Sequence, residues 1–191
     1  MRDSLAREDV LPRLRGRLGR QYVHLDSCTS TQRLFAPDAP EGALAVAEEQ
    51  TEGRGRLGRR WVAPHGTSLL CSLVLRPAVS PPRLPELTVV AGEACTEAIA
   101  RATSLAPSVK HPNDVLIAGR KVAGILAEAV EGRVVLGVGI NVNVPAEALP
   151  TDVRIPATSL LVETGERVDR AELLVELLAC LERRYDAWLA S

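Results

Sequence analysis

The sequence predicts an α+β domain built on a central mixed, largely antiparallel β-sheet flanked by helices. Three observations point there. From Val109 to Val144 apolar runs follow one another with only short punctuation at Ala118-Gly119 and Glu131-Gly132, and strands joined without a helix pair antiparallel. Helical patterns precede and follow this stretch, over Leu84 to Ala102 and from Asp169 to about residue 189,. At 191 residues the chain suits one core, since a chain of this size buries roughly 70% of the surface it exposes unfolded. Residues 1–191 are therefore read as a single domain.

Composition narrows the function classes. A formal net charge of −1 argues against a globally basic nucleic-acid binder. The N-terminus mixes both charge signs where a secretory signal carries an apolar run, and no stretch reaches the ~20 apolar residues of a membrane span. Cys28, Cys71, Cys95 and Cys180 form no C-x-x-C pair, so neither a zinc site nor a disulfide framework is signalled, and a reducing cytoplasm fits. With 3% aromatics, the core falls to Val, Leu, Ala and Ile.

Taken in order, Leu5, Val10, Leu11, Leu14 and Leu18 approximate a helical stripe that Gly19 would stop, with Pro12 against it,. The stretch is too short for a helix-turn-helix, so no DNA-reading module is expected. Gln21 to Leu25 alternates like a short strand and leads into D-S-C-T-S-T-Q, read as a helix cap or as the lip of a polar pocket. A small-residue strand then delivers Gln50. The run S-L-L-C-S-L-V-L over Ser68 to Leu75 is apolar enough for a buried strand. Gly137 and Gly139 inside a later strand mark either a bulge or the close approach of another backbone or a ligand. Asp169 opens the last helix with a D-x-x-E capping pattern.

One segment stands apart. Gln50 to Trp61 reads Q-T-E-G-R-G-R-L-G-R-R-W, four arginines among three glycines. Glycine costs up to ~1 kcal/mol against alanine inside a helix, and there is no apolar face, so the segment is a loop. Guanidinium forks and glycine N–H groups suit phosphate and carboxylate oxygens; a solvated turn and a nucleic-acid-binding segment are the competing readings. A second pointer is the lysine pair: of 23 Lys and Arg residues only Lys110 and Lys121 are lysine, twelve residues apart counted inclusively.

These residues add up to an ordered set. S-T-Q at 30–32, G-R-G-R-x-G-R-x-W at 53–61, P-N-D-V and R-K-x-A-G-I-L between 112 and 126, and G-x-G-I-N-V-N at 137–143 resemble the catalytic domain of biotin protein ligases over roughly residues 20–145. The resemblance implies a biotin/lipoyl ligase-like domain that activates biotin with ATP and Mg²⁺ to biotinoyl-5′-AMP and passes it to a lysine of the biotin carboxyl carrier protein of acetyl-CoA carboxylase. It implies a cytoplasmic enzyme binding neither nucleic acid nor membrane, with a homodimer as a further expectation. A lipoate or octanoate ligase and a non-catalytic biotin or biotinoyl-AMP binder are the alternatives.

Carried over residue by residue, the resemblance assigns Ser30, Thr31, Gln32, Gln50, Gly53, Arg54, Gly55, Arg56 and Lys121 to biotin. It assigns Arg56, Arg59, Trp61, Asn113 and Asn141 to ATP or the adenylate, and Lys121, Arg56 and Asp114 to catalysis, with the metal brought by ATP rather than held by protein alone. Two departures are visible. His111 stands where the family commonly has tryptophan, and the domain is expected to lack both the N-terminal DNA-binding module and the C-terminal small β-barrel. Without ligand, the arginine loop is expected to be mobile, since no apolar stripe anchors it.

Overall fold

The computed structural model describes residues 3–191. Its strands are β1 (Tyr22–Cys28), β2 (Leu44–Gln50), β3 (Ser68–Leu75), β4 (Ser108–Lys110), β5 (Asp114–Ile117), β6 (Arg120–Val130) and β7 (Arg133–Asn141), in one sheet of order β1-β2-β3-β7-β6-β5-β4. Helices are α1 (Arg7–Val10), α2 (Glu86–Thr103), α3 (Leu160–Thr164) and α4 (Arg170–Leu189). The expected α+β class and mixed, largely antiparallel sheet are present: every pair is antiparallel except β1–β2, which is parallel.

Alternation along the strands divides the sheet into two faces. On β3, Leu69, Cys71, Leu73 and Leu75 join the core, as do Leu136, Val138 and Ile140 on β7, beneath α2 and α4. The opposite parity carries Ser72, Gly137, Gly139, Gly124 and Leu126, with Ser72 beside Gly137, and Gly139 beside Gly124. One face is thus the packed core and the other is surfaced largely by small side chains, because side chains alternate with period two. The two hairpins meet in two-residue turns whose central residues all have positive φ, Ala118 and Gly119 (48° and 78°) and Glu131 and Gly132 (49° and 76°). That geometry matches the strand twist.

Asp169 caps α4 as expected, accepting from Ala171 N and Glu172 N at 2.9 and 3.1 Å, but Glu172 does not close the capping box and instead pairs with Arg13. The N-terminal stripe is a correction. Leu5, Val10, Leu14 and Leu18 are buried, yet only Arg7–Val10 is α-helical and Leu11–Arg13 is a 3-10 turn. Pro12 removes an N–H and clashes with the turn before it. Beyond it the chain runs irregularly, its Arg17 and Leu18 amides donating to Glu182 Oε2 on α4 at 2.8 and 2.9 Å. Burial there comes from α4, not from a helix of its own.

Candidate active site

The open face of the sheet forms the floor of a cavity of about 480 Å³, within the range of small-molecule sites. The floor is flat because it is glycine. A Cβ added at Gly139 would lie 2.8 Å from the Trp61 ring, and one at Gly124 2.9 Å from it, so the indole lies directly on backbone that any side chain would push it off. Lys121 Nζ sits 5.6 Å over the same ring and 2.6 Å from Asp114 Oδ1. The ammonium thus has a carboxylate on one side and an aromatic face on another.

A polar end is built where β1 and β2 finish. Thr31 N and Thr31 Oγ1 both donate to Gln50 Oε1, at 2.8 and 3.1 Å, and Thr31 Oγ1 lies 2.7 Å from Ser72 Oγ. With its oxygen doubly occupied, Gln50 keeps its NH₂ for another partner. Thr31 has one proton and spends it on Gln50, so Ser72 must donate to Thr31. Gln32 Nε2 donates to Leu126 O at 3.1 Å over Gly137, leaving its oxygen unpartnered, and the fully buried Ser30 hydroxyl has no partner either.

Those orphans concentrate. Of seven buried side-chain polar atoms without a hydrogen bond among the described residues, four belong to residues of this cavity: Ser30 Oγ, Gln32 Oε1, Trp61 Nε1 and Asp114 Oδ1. The last is within ion-pair distance of Lys121 but lacks hydrogen-bond geometry. Buried polar groups are normally paired, so this clustering is what a site awaiting a polar ligand shows. Cys71 offers no competing chemistry: burial pushes its thiol up to about 12, far from a reactive thiolate.

The arginine loop between β2 and β3 carries internal bonds at its base. Trp61 N donates to Gly53 O at 2.9 Å and Gly55 N to Arg59 O at 2.7 Å, with Arg54 and Arg60 bridged. Gly53 is required there, since a Cβ would fall 2.3 Å from Trp61 O. The expectation that nothing apolar anchors the loop is corrected by Trp61 on its glycine floor. Gly55 spends its N–H inside the loop, whereas buried Gly53 makes no N–H bond among the described residues. Arg54 pairs with Glu128 at 2.7 Å, Arg56 reaches Asn113 Oδ1 at 3.4 Å, and Arg59 has no ion-pair partner among the described residues.

Sequence reasoning missed the far wall. Residues 150–157 cross the cavity as a strap, tied to β6 by Lys121 N→Pro156 O (2.7 Å) and Thr158 N→Lys121 O (2.9 Å). Asn141 Nδ2 donates to Thr158 O at 3.0 Å, so its amide holds the strap that closes the site. Arg154 and Val153 on the strap and Ser72 on the floor were also missed. Ser72 had a signal, a hydroxyl in an otherwise apolar strand four residues from Ser68; the strap had none. His111 lies exposed on the cavity wall.

Such a sheet, with a glycine floor, an arginine loop and a lysine–aspartate pair on its open face, defines the class of biotin and lipoate ligase domains. The Biotin/lipoate A/B protein ligase family profile matches residues 24–144, and the chain belongs to this family. Among its relatives, the bifunctional ligase/repressor BirA of Bacillus spizizenii is 40% identical over 177 residues, covering 88% of this chain and 54% of the relative. The biotin–acetyl-CoA-carboxylase ligase of Mycobacterium tuberculosis is 39% identical over 152 residues, covering 78% and 56%. The biotin protein ligase of Aquifex aeolicus in complex with biotin and ATP matches with a TM-score of 0.81 at 32% identity, covering 90% of this chain and 73% of that one. The chain spans about half the length of the curated relatives it matches.

Proposed function

We propose that this chain joins biotin to ATP, giving biotinoyl-5′-AMP and pyrophosphate, and then transfers biotin to a lysine of the biotin carboxyl carrier protein of acetyl-CoA carboxylase. The observation that carries the reading is the three unpartnered polar atoms, Ser30 Oγ, Gln32 Oε1 and Trp61 Nε1, in one cavity that also holds the Lys121–Asp114 pair, under a cationic mouth. The cyclic urea of biotin needs donors and acceptors at one end. The Ser30 hydroxyl and the Gln50 NH₂ supply them, and Gln32 offers an oxygen to the ring N–H. Trp61, seated on the glycine floor, offers its apolar face to the thioether ring and acyl chain.

The first step brings a carboxylate onto an α-phosphate. Lys121, Arg56 and Arg59 neutralise that approach, and fixed charges in a water-poor site lower such a barrier without reorganising. Asn113 holds Arg56 toward the nucleotide, and Asn141 acts through the strap. Mg²⁺ carried on the ATP phosphates would supply further positive charge there. In the second step Asp114 orients the incoming amine or takes its proton. Four cysteines that remain free thiols support a reducing cytoplasm, and no described helix is long and apolar enough to cross a membrane.

Purified chain supplied with ATP, Mg²⁺ and either biotin or lipoate tests this. Pyrophosphate release with biotin, none with lipoate, and labelling of an added carrier domain are expected. Release with lipoate, or biotin binding without any release, would overturn it.

A further inference from the structure

We infer that Lys110 is a self-modification site: when no carrier protein is present, the chain acylates this lysine with the biotinoyl adenylate made in its own cavity. The inference rests on the proposed adenylate chemistry and adds a specific acceptor to it. Apart from the α-amine, the chain has two primary amines, because only Lys110 and Lys121 are lysine and guanidinium groups stay protonated. Both lysines line the one cavity.

Their settings differ. Lys121 is three-quarters buried, 2.6 Å from Asp114 and over Trp61, so its amine is already engaged by neighbours. Lys110 is the last residue of β4, exposed, with no ion pair or hydrogen bond among the described residues, and it faces Asp114 across the ladder. An unengaged amine is thus fixed to the wall of a site that transfers acyl groups to amines. Tethering a nucleophile beside its electrophile raises its effective concentration by orders of magnitude. Nothing on the strap or loop side chains competes with it, since the other cations there are arginines.

The step balances without any further reagent. The neutral Nζ of Lys110 attacks the carbonyl carbon of the mixed anhydride, and a C–N bond forms. The carbonyl C–O bond to phosphate breaks, AMP leaves with that electron pair, and the extra amine proton passes to water at the cavity mouth. The products are AMP and a chain carrying one biotinamide.

The test incubates the purified chain with biotin and Mg·ATP, no carrier added, and in a parallel arm with synthetic biotinoyl-AMP. Pyrophosphate is followed in the first arm; intact mass and fragment mass spectrometry locate the label in both. The expected result is one biotinoyl group per chain on Lys110, formed at a fractional rate that does not change across a protein dilution series, and lost in Lys110→Arg. Pyrophosphate release with label only on the N-terminal amine, on Lys121 or nowhere would overturn the inference and leave the proposed function standing, as would a fractional rate that falls in proportion to protein concentration. No pyrophosphate would count against the proposed function, and the synthetic adenylate arm still decides Lys110: absence of label there overturns it.

Discussion

Lys121 keeps a point charge between Asp114 and the Trp61 face. Its replacement by Gln keeps polarity at nearly the same length but removes the charge that the proposed mechanism places at the reacting oxygens. Lys121→Gln is expected to lower pyrophosphate release about 10²-fold, the cost of losing one fixed electrostatic contact, with an unchanged circular dichroism spectrum; turnover near the parent rate would show the charge to be dispensable. Ser72 acts one bond further back. It donates to Thr31, which donates to Gln50, so Ser72→Ala leaves the Thr31 oxygen without a donor and loosens the head-group end. Net hydrogen-bond energies of about 1 kcal/mol correspond to a biotin Kd raised roughly fivefold, with the KM for ATP unaffected. An equal rise in both would mean that Ser72 supports the cavity as a whole.

At the scale of elements, the two ends of the arginine loop are fastened differently from its tip. Trp61 lies on Gly124 and Gly139, and Arg54 bridges Arg60, whereas Leu57 at the tip is 86% exposed. Brief trypsin treatment of the free protein is therefore expected to cut after Arg56 and Arg59 well before Arg54 and Arg60, with biotin plus ATP slowing all four. Trp61→Ala should abolish the difference, and equal cutting in the parent would show that the indole does not anchor the loop. A second fastening lies beneath β2: Glu48 Oε2 is 2.5 Å from the buried Arg170 guanidinium, which also holds Asp3 at 2.7 Å, while Glu48 Oε1 meets His24 at 2.9 Å. Removing one member of a buried ion pair costs about 3–5 kcal/mol, and Asp3 keeps Glu48→Ala near the lower end. Urea denaturation measures it, and a loss under about 1 kcal/mol would mark the pair as solvent-screened.

For the whole molecule, what was legible in the sequence had local causes. Ser68–Leu75 is a strand with the expected limits because its apolar run is bounded by turn residues on both sides. The hairpins at Ala118-Gly119 and Glu131-Gly132 were readable because Gly119 and Gly132 suit the positive φ their turns require,. Features set by distant parts of the chain were not readable. The parallel β1–β2 pair depends on where the connection through residues 29–43 returns, and the N-terminal leucines imitate a helix although α4 buries them. The strap over residues 150–157 has no periodicity at all; its position is fixed by backbone bonds to Lys121. Of the cavity, the motif residues Ser30, Thr31, Gln32, Gln50, Trp61, Asp114 and Lys121 are brought together on one wall and floor, while Arg54 is engaged by Glu128 and Gly55 by its own loop.

The central claim is that the unpartnered polar end and the indole face seated on the glycine floor together fit biotin. Isothermal titration calorimetry of the intact chain with biotin, and separately with lipoate, tests it most directly. One biotin per chain with measurable heat, and no heat from lipoate, is the predicted result, because lipoate has no ring N–H or carbonyl to meet the buried donors and acceptors left unpaired. Comparable heats from both acids, or heat from lipoate alone, would contradict it.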